Sequence, residues 1–189
     1  MPLNVSAEEL AASATTNVGT TINLDARKVP DNDLSTIESS NNQEIEYHYS
    51  NNFTVFDSLG NPRNITVYYE KIDGASNTWE AKVTMDGYYS ANNDFTLEFN
   101  QNGTLTVPAG NVTDITFDAD SPLGDDPIPL AFQLNLAGST QFGNTSTVSS
   151  LNQNGYTSGT LVGITINDDG TIMRNYSNEQ SRPAGQVAW

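Results

Sequence analysis

The chain has 189 residues, with 23 acidic groups against 7 basic ones and a formal net charge of -16, and 61 of its residues are Asn, Ser or Thr. That balance repels phosphate and leaves no basic cluster for a nucleic acid. No apolar run approaches the roughly 18 residues of a membrane helix, and the lack of Cys removes disulfides, thiol catalysis, zinc-thiolate sites and iron-sulfur clusters.

In chain order, the start Met1-Pro2-Leu3-Asn4 has neither the basic region nor the apolar region of a secretory signal. Ser6, with Glu9 three residues later, has the form of a capping box. It predicts a helix of two turns at most over Glu8-Glu9-Leu10-Ala11-Ala12. Thr15 to Leu24 reads as a strand, with Val18, Thr20, Ile22 and Leu24 on one face. Residues 31–46 are dense in Asp, Asn and Ser without any period, which predicts a loop.

Residues 47–147 alternate strands with turns. Phe53 and Val55 share a face, the turn Asp57-Ser58-Leu59-Gly60-Asn61-Pro62 follows, and Ile65, Val67 and Tyr69 share the returning face. Trp79, Ala81, Val83 and Met85 point one way. Phe95, Leu97 and Phe99 alternate, Asn100-Gln101-Asn102-Gly103 turns, and Leu105 and Val107 resume. Ile115 and Phe117 make a short strand. Ile128, Leu130, Phe132, Leu134 and Leu136 keep period two, and Pro129 within that run predicts a strand starting at an edge or on its solvent-facing side.

Beyond residue 147 the apolar content thins. Asn152 to Gly159 reads as a turn-rich connector. Val162, Ile164 and Ile166 alternate, Asn167-Asp168-Asp169-Gly170 is a hairpin turn, Ile172 and Arg174 return, and Gln186 to Trp189 reads as the start of another strand. The predicted class is all-β. A β-barrel or sandwich-like domain over 29–147 is expected to be inserted into a second, partial β-rich domain made of 1–28 plus 148–189. The middle has its own apolar faces and the ends do not. The same pattern predicts a piece of something longer, with hinges near 25–30 and 147–152. The expected core of the middle domain is Phe53, Val55, Ile65, Val67, Trp79, Val83, Phe95, Leu97, Phe99, Leu130, Phe132 and Leu134.

The candidates for chemistry are few. His48 is the one histidine, and a metal site normally needs three or four ligands. Asp118, Asp120, Asp125 and Asp126 form an oxygen-rich cluster that suits calcium, but Pro122 and Leu123 break the EF-hand spacing. Tyr68, Tyr69, Trp79, Tyr88 and Tyr89 offer a sugar-stacking platform, against a core role for Tyr69 and Trp79. No glycine-rich phosphate motif occurs, and Asn-x-Ser/Thr triplets, as at Asn52 and Asn64, arise by chance in so polar a chain. No catalytic residue, cofactor or metal is predicted. A structural subunit is the expectation, and an extracellular β-sandwich that binds carbohydrate or calcium is the alternative.

Several blocks carry a resemblance. Phe53-Thr54-Val55-Phe56-Asp57-Ser58-Leu59-Gly60-Asn61-Pro62, continued by Ile65-Thr66-Val67-Tyr68-Tyr69, resembles a segment of the bacterial flagellar hook protein family. So do Phe99-Asn100-Gln101-Asn102-Gly103-Thr104-Leu105, Asn154-Gly155-Tyr156-Thr157-Ser158-Gly159-Thr160-Leu161, Ile166-Asn167-Asp168-Asp169-Gly170-Thr171-Ile172, Asn175-Tyr176-Ser177-Asn178-Glu179-Gln180 and Gly185-Gln186-Val187-Ala188. Ala14-Thr15-Thr16 and Ile22-Asn23-Leu24-Asp25-Ala26 fit the segment before the insertion. The motif turn residues are Asp57, Gly60, Asn61, Gly103, Gly155, Gly159, Asp169, Gly170 and Gly185. The resemblance implies an outer part of a subunit of the extracellular hook, exported through the flagellar channel and without enzymatic activity. Its implied partners are other copies of the subunit and axial proteins at the hook ends. Neither nucleic acid nor membrane insertion is implied, and this stretch by itself is expected to be monomeric.

Overall fold

A computed structural model describes residues 9–118, 122–124 and 128–186. The fold is all-β, with two single turns of 3-10 helix at Ala91–Asn93 and Ala109–Asn111. The strands are β1 (Asn17–Asn23), β2 (Ser35–Glu38), β3 (Glu44–Tyr47), β4 (Tyr49–Phe56), β5 (Pro62–Asp73), β6 (Thr78–Met85), β7 (Tyr88–Tyr89) and β8 (Phe95–Phe99). They continue as β9 (Leu105–Val107), β10 (Val112–Phe117), β11 (Leu130–Asn135), β12 (Thr147–Gln153), β13 (Leu161–Ile166), β14 (Thr171–Tyr176) and β15 (Ser181–Gln186).

Two sheets hold the core. One has six strands in the order β4-β5-β6-β8-β9, with β7 paired to β6; the other has the order β10-β11-β1-β12. Each inner face is built by period-two alternation: β11 reads buried-exposed throughout, and β1 buries Val18, Thr20 and Ile22. Phe53 on β4 meets Phe132 on β11 edge to face, with ring centroids 6.2 Å apart. All the apolar residues expected in the core of the middle segment are buried, and one cluster joins them to Val18, Ile22, Leu24, Ile115 and Phe117.

β1 lies inside the four-stranded sheet, parallel to β11 and antiparallel to β12. Both strands that flank the middle segment therefore hydrogen-bond into its sheet. β13, β14 and β15 form a separate three-stranded sheet in which Ile172 and Tyr176 are buried.

Several expectations need correction. Over residues 9–12 there is no helix. Leu10 instead exchanges backbone hydrogen bonds with Gly159, at 2.7 and 2.9 Å; Ser6 of the expected capping box lies outside the described residues. The 31–46 loop contains the hairpin β2-β3, anchored by Ile45, which is fully buried beside exposed polar neighbours. One anchor in so polar a stretch gives no readable period. β11 begins at Leu130, after Pro129, which cannot donate to a ladder, and Ile128 before it is 56% exposed. β11 is also an interior strand between β10 and β1. The hinge expected at 147–152 is strand β12, laddered to β1 from Thr147 to Gln153. β15 starts at Ser181, ahead of the expected Gln186, and Pro183 within it hid the pattern. Residues 187–189 lie outside the described residues.

Candidate functional site

The motif turns do not assemble a catalytic centre. Several of them assemble a joint. At the β4-β5 turn, Asp57 is fully buried. Its Oδ1 accepts the N–H groups of Leu59 at 3.0 Å and Asn61 at 2.9 Å, and its Oδ2 accepts Arg63 Nε and Nη2, each at 3.0 Å. Arg63 also donates to Asp86 Oδ2 at 3.2 Å and to the Pro122 carbonyl at 2.9 Å. Burial pushes the Asp57 carboxyl up, but the N–H of Asn61 and the guanidinium of Arg63 outweigh it and hold the group below the ordinary carboxylate value. Gly60 has φ +83°, a conformation open to glycine without strain, and a Cβ there would lie 2.8 Å from Ala12 Cβ.

The turn meets two segments distant in sequence. Thr15 N–H donates to the Phe56 carbonyl at 2.9 Å, and Thr15 Oγ1 accepts Phe56 N–H at 2.9 Å while donating to Gln153 Oε1 at 2.6 Å. Gln153 in turn grips Gly155, accepting its N–H at 2.7 Å and donating to its carbonyl at 3.0 Å. Asn154 Oδ1 accepts the N–H groups of Thr16 and Asn17 at 2.9 and 3.0 Å. Ser13 and Tyr156 exchange backbone bonds, as do Leu10 and Gly159. Toward the three-stranded sheet, Asn178 Nδ2 donates to the Thr157 carbonyl at 2.5 Å, and Arg182 donates to Tyr156 Oη at 2.6 Å while its guanidinium lies 5.2 Å from the Tyr156 ring centroid. Apart from those of Arg182 and of Arg63 with Asp57, Asp86 and the Pro122 carbonyl, the contacts are neutral hydrogen bonds.

A second seam joins the two large sheets. Thr140 pairs with Asn23 on one side and Thr104 on the other, Gln141 N–H donates to the Gly103 carbonyl at 2.9 Å, and Gln141 Oε1 accepts the buried Trp79 Nε1–H at 2.6 Å.

The fold thus brings Asp57, Gly60, Asn61, Gly155 and Gly159 into one joint. Gly103 belongs to the second seam, with φ +77°. Asp169 and Gly170 form the β13-β14 turn, where Asp169 accepts Thr171 N–H at 2.8 Å, and Gly185 lies in β15 opposite Ile172. Sequence reasoning missed Gln153 and Gln141 because their partners are 138 and 62 residues away, while Asn154 opened the Asn154-Gly155-Tyr156 block. Thr15 had a signal, the Ala14-Thr15-Thr16 block.

The other candidates resolve differently. His48 Nδ1 accepts Lys71 N–H at 3.0 Å, so Nε2 donates to the carbonyls of Val29 and Asn32, at 3.1 and 2.9 Å. It is a tether for the 29–32 turn. Tyr69 and Trp79 are fully buried and Tyr68 is buried, so they offer no platform, while Tyr88 and Tyr89 are half-buried and Tyr89 Oη donates to the Asp94 carboxylate at 2.8 Å. Asp120, Asp125 and Asp126 lie outside the described residues, among which no three His, Cys, Asp or Glu gather to hold a metal. No described helix is long and apolar enough to cross a membrane.

The joint makes a direct test possible. A Cβ on Gly155 would lie 2.6 Å from Thr15 N and 2.9 Å from Thr15 Cα, both backbone atoms that the Phe56 bond fixes. Gly155→Ala is expected to cost about 1–3 kcal/mol in urea unfolding. Gly163→Ala is the control, since a Cβ there meets nothing within 4 Å.

Comparisons with known proteins follow the same lines. A family model described as the flagellar basal body protein FlaE D2 domain matches residues 23–156. The flagellar hook protein FlgE of Escherichia coli K12 is 34% identical over 192 residues, covering 98% of this chain and 45% of that protein. FlgE of Salmonella typhimurium LT2 is 32% identical over the same shares. The chain therefore spans less than half the length of these curated relatives. In fold, it is similar to the crystal structure of Helicobacter pylori flagellar hook protein FlgE2, with a TM-score of 0.54 and 13% identity over 92% of this chain and 54% of that one.

Proposed function

The chain belongs to the flagellar hook protein FlgE family, and from that premise we propose that it is the outer part of a structural subunit of the bacterial flagellar hook, a helical tube that works as a universal joint between motor and filament. Its partners in this reading are further copies of the same subunit and the axial proteins at the hook ends. The subunit is exported through the flagellar channel and works outside the cell, without catalysis or cofactor. The three-stranded sheet belongs to an intermediate domain and β2 to β11 to an outer one, the division of 1–28 with 148–189 against 29–147. β1 and β12 run from the first into the sheet of the second.

One observation carries the mechanical part. Neutral polar residues share the solvent side of the large sheets with a few charged ones: Thr54, Thr96, Gln133 and Asn135 are exposed and Thr66 is half-buried beside a continuous apolar core, among Glu70, Glu98, Asp114 and the Lys82-Glu80 pair. Neutral hydrogen bonds, direct or through water, exchange partners at small net cost. An apolar interface would lock one geometry, and unpaired charges would be costly to bury. Rigid subunits that slide on such faces let a tube lengthen on one side and shorten on the other.

The test places Thr54→Lys, Gln133→Lys and Asn135→Lys together in the full-length protein, in a hook-deletion strain. The subunit is expected to keep its circular dichroism and melting temperature while hooks lose normal curvature and cells swim poorly. Normal hooks and normal swimming would end the reading. The excised chain is expected to sediment as a monomer, since a charge of -16 opposes self-association at low salt.

A further inference from the structure

An asparagine followed by glycine is chemically labile. The glycine nitrogen attacks the side-chain Cγ, the Cγ–Nδ2 bond breaks, ammonia leaves with the nitrogen's proton, and a succinimide closes. Water opens the ring to aspartate or to isoaspartate, whose backbone is one carbon longer. Glycine favours the attack because no Cβ obstructs the ring.

The chain contains the tetrapeptide Asn-Gln-Asn-Gly twice, at 100–103 and at 152–155. Local sequence therefore gives Asn102 and Asn154 the same reactivity, and the fold separates them. Asn154 Oδ1 accepts two backbone N–H groups, its Nδ2 donates to Thr16 Oγ1 at 2.7 Å, and the Gly155 nitrogen donates to Gln153 Oε1 at 2.7 Å. Carbonyl, leaving amide and nucleophile are all held in the joint. Asn102 stands exposed at the tip of the β8-β9 hairpin, and its side chain has no hydrogen-bond partner among the described residues. Among those residues the nucleophile beside it, the Gly103 nitrogen, donates only to the Asn100 carbonyl, at 2.9 Å.

We propose that Asn102 is a site of spontaneous deamidation in the folded protein, with water as the only co-reactant, and that isoaspartate there loosens the seam between the two large sheets. The Gly103 carbonyl receives Gln141 N–H, and Gln141 holds Trp79. An added backbone carbon directly before Gly103 shifts that carbonyl. It also disturbs the turn in which Asn100 Oδ1 accepts the N–H groups of Asn102 and Thr104. Aspartate at the same position adds charge and leaves the backbone length unchanged.

Peptide mass mapping of the intact chain, aged in mildly alkaline buffer with isoaspartate quantified by an isoaspartyl methyltransferase, tests the site. Asn102 is expected to convert at least about tenfold faster than Asn154, the factor that ~1.4 kcal/mol of added hydrogen bonding imposes on a rate. In urea the two are expected to convert alike, because the tetrapeptides are identical. Equal rates in the folded chain, faster conversion at Asn154, or no conversion at Asn102 while the urea sample converts would each overturn the site. The isoaspartate fraction is expected to melt below the Asn102→Asp variant. Coincident melts would overturn the loosening of the seam.

Discussion

Replacing Trp79 with Ala is expected to lower stability by about 3–5 kcal/mol, measured by urea unfolding. The side chain is fully buried in the cluster shared by both large sheets, so truncation opens a cavity that packed strands on each side cannot close. It also strands Gln141 Oε1, which accepts the indole N–H at 2.6 Å. Trp79→Phe separates the two effects. It keeps most of the apolar volume and loses the donor, and the expected cost falls to about 1–3 kcal/mol for the unsatisfied oxygen. A loss in Trp79→Phe as large as in Trp79→Ala would assign the stability to the hydrogen bond. No loss would leave the Gln141 side chain, though not its backbone bond to Gly103, without a role in the seam.

Asp57→Ala is expected to cost about 3 kcal/mol at neutral pH, because removal of one member of a buried ion pair leaves its partner uncompensated. Arg63 would keep only Asp86 and the Pro122 carbonyl, and the N–H groups of Leu59 and Asn61 would lose their acceptor. The pH dependence follows from the sign of the shift. The folded Asp57 carboxyl lies below its ordinary value, so its contribution is complete above the unfolded pKa of about 3.9 and is lost as pH falls through the folded one. Asp25 is lowered in the same direction by the side chain of Arg27. The difference in unfolding free energy between wild type and Asp57→Ala is therefore expected to shrink in acid. A difference that stays constant from neutral to acid pH would show that the carboxylate charge is not what the turn uses.

The strands that carry two-sided alternation are legible in the sequence. β4, β5, β6, β8 and β11 each present one apolar face, and a single buried face at period two fixes both the conformation and the side that turns inward. The Asp57-Ser58-Leu59-Gly60-Asn61 turn was legible for a different reason. Its chemistry is local, with Asp57 capping N–H groups two and four residues on and Gly60 supplying the positive φ. β2, β3 and β12 were not legible. β12 is exposed along most of its length, and what makes it a strand is its ladder to β1, about 130 residues earlier. Pairing of that kind leaves no period in either segment.

The sequence by itself therefore determined the all-β class, the residues of the core and the shape of the tight turns, because burial and turn chemistry act within a few residues. Only the tertiary structure decided that β1 runs parallel to β11 inside the same sheet, that Thr15, Gln153 and Gly155 close around the Asp57 turn, and that Asn154 is held while Asn102 stands free. These are neutral hydrogen bonds between segments far apart in the chain. Asn, Thr and Gln form such bonds as readily with water, so nothing in their own neighbourhood marks which of them will be held.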